Sequence, residues 1–270
     1  MNGTYCYWTV VDGDYSIMMK SVIESARRVG VFKDFHIWSD RPVEDAICHE
    51  VKDLDKSHYL FKFHYLRNEA KKLNYDYFIW LDADTWFVRN PGNPLRLLHG
   101  SPVHSSLESD ACDPKNERTE WWDCSLKNYA TLMRFKGVRS KSIFNVNGGF
   151  WIVHHDAIDA FYDLAMDFWQ FCKDAGYVFT DEPPLAYATH MLCGNPYLHT
   201  LKVTSDVWAS DWTGNYNNVF PDGKPWVFVD YFNFEERLVN PAIVHALRCK
   251  GALIARALGQ PLPPPGPSTV

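Results

Sequence analysis

The sequence has no run of apolar residues long enough to cross a membrane as a helix, and its opening, MNGTYCYWTVVDGDY, has no basic stretch ahead of an apolar one. Neither a membrane anchor nor a secretory leader is expected, and a cytoplasmic location follows. An excess of positive charge is also missing. With 27 Lys and Arg against 33 Asp and Glu the formal charge is −6, the wrong sign for a dedicated nucleic-acid binder, so any phosphate must be met by local cations. The seven cysteines include no CxxC pair and are odd in number, which argues against a zinc knuckle or a full disulfide framework and for reduced, mostly buried thiols. No internal repeat is present. The Pro-rich end, residues 259–270, is too poor in packing groups to join a core and is expected to be a disordered tail.

What remains is globular. Hydrophobic residues make up 46% and charged residues 22% of 270, which suits one domain, expected over residues 1–258. Eleven Trp and fourteen Tyr are more than a core needs. Such rings either build a large aromatic interior or stack on sugars and bases, and composition leaves both open.

Along the chain, TYCYWTVVD reads as a strand, SIMMKSVIESARRV as a helix and FHIWSD as a second strand. FKFHYLRNEAKKL places Phe61, Leu66, Ala70 and Leu73 on one helical face and leads into the strongest strand, DYFIWLD. Strands alternating with helices predict an α/β fold with a mainly parallel sheet. From about residue 100 to 141 the pattern weakens, and an insertion with at least one helix is expected. FNVNGGFWIVHH reads as a Gly-interrupted strand pair. DAIDAFYDLAMDFWQFCKDA then has helical spacing at Ile158, Phe161, Leu164, Ala165 and Phe168, and another helix begins near TDEPPLAYATHML with Thr180 as its cap.

Chemistry concentrates in DYFIWLDADTWFVRNP. A buried strand delivers Asp82 and Asp84 to its carboxyl end, where open α/β sheets bind ligands. Two acids two residues apart on an extended chain address one side, and a diphosphate with a divalent cation is a partner that needs both. Acid pairs also cap helices or sit in turns, but the apolar strand before this one and Trp86 and Phe87 after it disfavour simple exposure.

At these residues the chain resembles the GT-A glycosyltransferases, in particular the glycogenin-like and bacterial galactosyltransferase-like branch called family 8. Five segments in order carry the resemblance: YWTVVDGDYSIMMKSVIESARR, Lys62 on the helix before the acidic motif, FIWLDADTWFVRNP, NVNGGFWIV with TDEPPLA after it, and VHALRCKG. It implies a GT-A, Rossmann-like sheet flanked by helices, with the DxD motif at a strand end. Thr9, Asp14, Tyr15, Lys62, Asp82, Ala83, Asn147, Gly148, Gly149 and Lys250 would then bind a nucleotide-sugar, with UDP as the nucleotide. Asp82, Asp84 and His245 would hold Mn2+ or Mg2+, and an imidazole favours manganese. Asp181 would stand beside the anomeric carbon, with Glu182 as the alternative acid. Lys250 or Arg248 would neutralise the departing diphosphate.

The implied activity is transfer of a hexose from a UDP-sugar, UDP-glucose or UDP-galactose, to a carbohydrate, lipid or protein hydroxyl, with retention. The usual His-x-x-Gly-x-x-Lys appears here as His245-Ala-Leu-Arg248-Cys-Lys250-Gly251, and Glu182 replaces the usual Gln. Trp121, Trp122 and Trp212 are placed at the acceptor, where rings stack on sugar faces; tethering of a loop to the core is the alternative. Two other functions compete. One is a non-catalytic nucleotide-sugar or carbohydrate-binding domain on the same fold. The other is a haloacid-dehalogenase-like phosphatase, which Trp86 at the fifth place of the acidic motif argues against.

Overall fold

A computed structural model of the chain describes residues 3–51, 54–117, 119–122, 124–193, 206–211, 228–232 and 235–263. The first strand, β1 (Tyr5–Val11), is buried along its whole length, as expected of an interior parallel strand covered on both faces. After it, α1 (Asp14–Arg28) buries Met18, Met19, Val22, Ile23 and Ala26 on one face, and ends on Arg27 and Arg28, where cations suit the helix dipole. β2 (Phe35–Ser39) is buried and β3 (Ile47–Glu50) is a mostly exposed edge. α2 (Phe61–Asn68) leads to β4 (Tyr77–Leu81), and β5 (Thr85–Phe87) follows after only three residues.

Beyond lie β6 (Val103–Asp110), the short pair β7 (Glu120–Trp121) and β8 (Cys124–Ser125), and α3 (Leu126–Phe135). β9 (Phe144–His154), α4 (Ile158–Asp174) and α5 (Glu182–Cys193) complete the central layer. β10 (Trp208–Ser210), the hairpin β11 (Phe228–Phe232) and β12 (Glu235–Val239), β13 (Ile243–His245) and α6 (Lys250–Ala257) close the described chain. Among the described residues no helix is long and apolar enough to cross a membrane.

The main sheet has six strands in the order β3-β2-β1-β4-β9-β6. β1 pairs in parallel with β2 and β4, and β2 with β3, whereas β9 runs antiparallel to both β4 and β6. Five strands therefore share one direction and β9 alone opposes them, which bears out a mostly parallel sheet flanked by helices. Alternation along β1 feeds two cores. Cys6, Trp8 and Val10 join Phe63, Trp80, Trp151 and Phe161 under α2, α4 and α5, while Tyr5, Tyr7 and Val11 join Met19, Ile23, Ile79 and Phe87 under α1. Trp8 packs edge-on to Trp80 and Trp151 at centroid distances of 4.7 and 5.6 Å, contacts worth about 0.5–1.5 kcal/mol each beyond their buried area.

Several details differ from the sequence reading. Residues 103–110, read as part of an insertion, form β6 in the central sheet; its interior is filled by His104, Ser105, Ser106 and Ser109, so no hydrophobic alternation marks it. α3 is the helix expected in that stretch. FNVNGGFWIVHH is one eleven-residue strand rather than a pair, and its pairing with β6 shifts register between Ser105 and Ser106 and again between Leu107 and Ser109. The helix of FKFHYLRNEAKKL ends at Asn68, with a 3-10 turn from Ala70 to Lys72 after it. Among the described residues the hydroxyl of Thr180 caps nothing: it is buried without a hydrogen-bond partner there.

A second sheet of three strands, β10-β13-β5, flanks the first. β13 is antiparallel to β5 with His245 opposite Thr85, and parallel to β10 with Ser210 beside His245.

Candidate functional site

Where β1 and β4 end, a cavity of about 570 Å³ opens. A volume of this size is typical of a small-molecule site, and strand ends are where α/β sheets bind ligands. Asp82, Ala83 and Asp84 occupy the turn between β4 and β5, so the two acids converge through a turn and not through the extended alternation expected from their spacing. Thr85 Oγ1 donates to Asp82 C=O at 3.0 Å and holds that turn. The antiparallel register of β13 on β5 then carries His245 to the same point, and Ala246 N–H donates to Asp84 C=O at 2.6 Å.

One ligand atom each of Asp82, Asp84 and His245 lies within 4.8 Å of the others, a group with the spacing to hold a metal ion. His245 Nε2 is 3.0 Å from Asp84 Oδ1 and 3.8 Å from Asp82 Oδ2. The donor chemistry fits a divalent cation: two carboxylates and an imidazole, with His245 Nδ1 turned to Ser210 Oγ at 3.5 Å so that Nε2 faces the acids. Lys250, the first residue of α6, sets Nζ 3.1 Å from Asp84 Oδ2 and 3.5 Å from the Tyr15 hydroxyl. Burial opposes charge on Asp84, but His245 and Lys250 outweigh it and hold its carboxyl well below the usual range. Reciprocally, burial works against the charged forms of His245 and Lys250, and Asp84 raises both pKa values.

On the far side of Asp82 sits Lys62, 6% exposed on α2. Its ammonium lies 2.8 Å from Asp181 Oδ2 and 3.2 Å from Asp82 Oδ1, and 5.1 Å over the Trp80 ring. Burial disfavours that charge, yet Asp181 and Asp82 together push its pKa up. Asp181 is itself raised, by burial in the first place and partly offset by Lys62. Trp80 Nε1–H donates to Asp82 Oδ1 at 2.7 Å, fixing the acid from the strand that delivers it.

The Asn147-Gly148-Gly149 run of β9 forms the floor. Both glycines are extended, and their need for glycine is one of space. A Cβ on Gly148 would stand 2.7 Å from Asp181 Oδ2, and one on Gly149 would stand 3.0 Å from the His245 ring. Asn147 is held at both ends of its amide, accepting from Gly149 N–H at 2.8 Å and donating to Glu108 Oε1 at 2.9 Å. Thr9 lines the cavity from β1 with its hydroxyl buried and, among the described residues, without a hydrogen-bond partner.

Most of the residues expected at a site are therefore neighbours. Thr9, Tyr15, Lys62, Asp82, Ala83, Asp84, Trp121, Trp122, Asn147, Gly148, Asp181, Glu182, His245 and Lys250 all line the one cavity. Asp14 does not; it lines a shallower depression beside the cavity with Asp12, Gly13 and Asp40. Gly149 stands behind His245, and Arg248 is exposed outside the lining, so Lys250 is the cation of that segment that reaches the cavity. Trp212 lies outside the described residues.

Several lining residues went unread in the sequence, Glu108, Asp12, Lys56 and Tyr59 among them. Glu108 of β6 accepts from the Asn145 and Asn147 amides, Asp12 is ion-paired with Lys56, and Tyr59 lines the mouth in a left-handed conformation, φ 56°. Glu108 sits among small polar residues and carries no motif, whereas an acid directly after the apolar β1 was a signal open to notice. Six carboxylates, Asp12, Asp82, Asp84, Glu108, Asp181 and Glu182, face three lysines, Lys56, Lys62 and Lys250, an imbalance that a bound cation would offset.

No protein-family model matches the chain, and no curated protein matches it.

Proposed function

We propose that the chain is a metal-dependent glycosyltransferase of GT-A architecture that moves a hexose from a UDP-sugar, UDP-glucose or UDP-galactose, to an acceptor hydroxyl with retention. The observation that carries this reading is the meeting of Asp82, Asp84 and His245 at the carboxyl end of the parallel strands, beside a cavity large enough for a nucleotide-sugar. In this reading Asp82, Asp84 and His245 hold Mn2+, which supplies positive charge to a diphosphate leaving group when bound. Lys250 stands on the opposite side of Asp84 and adds a second cation to the departing diphosphate. Asp181, oriented by Lys62 and crowded against Gly148, is the acid beside the sugar's reacting carbon. Tyr15 and Thr9 take the nucleotide at the end of β1, and Trp121 and Trp122 form the acceptor wall.

Isothermal titration with UDP, GDP and their sugar conjugates tests this, with Mn2+, with EDTA, and with Asp84→Ala. Binding of UDP in manganese that disappears in EDTA and in the variant is the expected result, followed by slow hydrolysis of one UDP-hexose. Failure of every nucleotide to bind removes the donor assignment.

A further inference from the structure

Glu182 opens α5 at a point where three N–H groups from two other elements meet. Gly148 N–H on β9 donates to Oε1 at 2.8 Å, while the indole N–H groups of Trp121 and Trp122 donate to Oε2 at 3.2 and 2.5 Å. All three partners are pure donors, so the site is built for an acceptor with the lone pairs of a carboxylate. Burial first, then Glu108 and Asp181, raise the Glu182 pKa, and the bonds from Gly148 and Trp122 act against that rise. The contacts also explain two local oddities. Gly148 has no room for a side chain because a Cβ there would stand 2.7 Å from Asp181 Oδ2, with Glu182 Cγ next at 3.2 Å, and Trp122 holds a left-handed backbone, φ 52°, that a bulky residue rarely adopts. Trp121 has a second support, its ring meeting Tyr129 edge-on at 4.9 Å.

We propose that Glu182 is a positioning residue and not the catalytic acid: a buried carboxyl clasp that fastens the Trp121–Trp122 wall to Gly148 on the cavity floor. It fixes the aromatic side of the cavity relative to the Asp82–Asp84–His245 cluster. The clasp itself stands on contacts alone; only its service to an acceptor sugar rests on the glycosyltransferase reading. Both Glu182 oxygens are committed to these bonds, whereas Asp181 meets the cavity beside Lys62.

The test is fluorine NMR on full-length protein labelled with 5-fluorotryptophan, with Trp121→Phe and Trp122→Phe assigning the two signals. In Glu182→Gln, whose amide has one acceptor oxygen and must set its NH2 against a donor at either the indoles or Gly148, the Trp121 and Trp122 signals are expected to shift beyond their linewidths and gain solvent-isotope sensitivity, with the other tryptophans in place. Glu182→Asp keeps the carboxyl group but shortens the reach, guards against loss of fold, and is expected to displace the same two signals. Signals that stay put in both variants overturn the clasp. So does a fall in UDP-hexose turnover of about 100-fold, the scale of a lost acid or base, with both signals unmoved. Should the unaltered protein bind no UDP with Mn2+, the glycosyltransferase reading fails on that result, and the fluorine comparison still decides the clasp.

Discussion

His245 Nε2 lies 3.0 Å from Asp84 Oδ1 although 161 residues separate them. The approach is a product of backbone register: β13 lies antiparallel on β5, His245 opposite Thr85, so the imidazole arrives beside the residue that precedes Thr85. Around that pair, charges of both signs are packed closely enough that each one's removal exposes its partners.

Asp84→Asn removes a carboxylate shared by His245 and Lys250. Mn2+ affinity, followed by the electron paramagnetic resonance of free manganese, is expected to fall by more than the roughly 10–100-fold typical of losing an outer-shell partner. An unchanged affinity would place the metal elsewhere.

Lys62→Met leaves Asp181 without its ammonium and Asp82 with one partner fewer, in a place where Lys62 is 6% exposed. Breaking a buried pair from one side costs about 3–5 kcal/mol, and urea unfolding should show a loss of that size. Adding Asp181→Asn to Lys62→Met should recover part of it, because the stranded charge is then gone; a simple sum of the two single losses would contradict the pairing.

Gly149→Ala puts a methyl group 3.0 Å from His245 Cε1 and Nδ1. Overpacking of this kind costs about 1–3 kcal/mol. The predicted sign of its effect on metal is loss, because relief of the contact pushes the imidazole off the carboxylates. Manganese binding as tight as that of the unaltered protein, at reduced thermal stability, would show that the ring yields elsewhere.

His190 on α5 is buried, its Nε2 accepting from Phe144 N–H at 3.0 Å, and burial lowers its pKa from 6.5 to about 4. A depressed folded-state pKa means that neutral imidazole favours the native state. The contribution is therefore complete above about pH 6.5 and is lost as pH falls through about 4, by about 3 kcal/mol in all. Urea unfolding between pH 7 and 4 should show this decline, and His190→Gln should flatten it. A variant with the same slope as the unaltered protein would move the acid sensitivity to other groups.

Much of this site could be read from residues in a row. An apolar strand that runs straight into Asp82-Ala83-Asp84 marks its own ligand end, and NVNGG marks a backbone with no room for side chains. Lys62 could be singled out only through the resemblance, which places a basic residue on the helix before the acidic motif. β6 was hidden for a physical reason: it buries His104, Ser105, Ser106 and Ser109, whose burial depends on hydrogen bonds to other elements, such as Ser105 to Thr189 and Ser109 to Asn145. Hydrophobic periodicity cannot report a strand stabilised in that way, and Glu108 was lost with it.

The sequence by itself determined the alternation of strands and helices, the apolar strand that carries Asp82 and Asp84 to a sheet end, and the glycines beneath them, because period and local steric demand are properties of neighbouring residues. Tertiary structure alone decided that His245 meets those acids, that Lys62 spans Asp82 and Asp181, and that Glu182 gathers Trp121, Trp122 and Gly148. Each of these depends on strand register and on distances between segments tens to more than a hundred residues apart, and a buried charge chooses its partner only when folding has removed the water that would otherwise screen it.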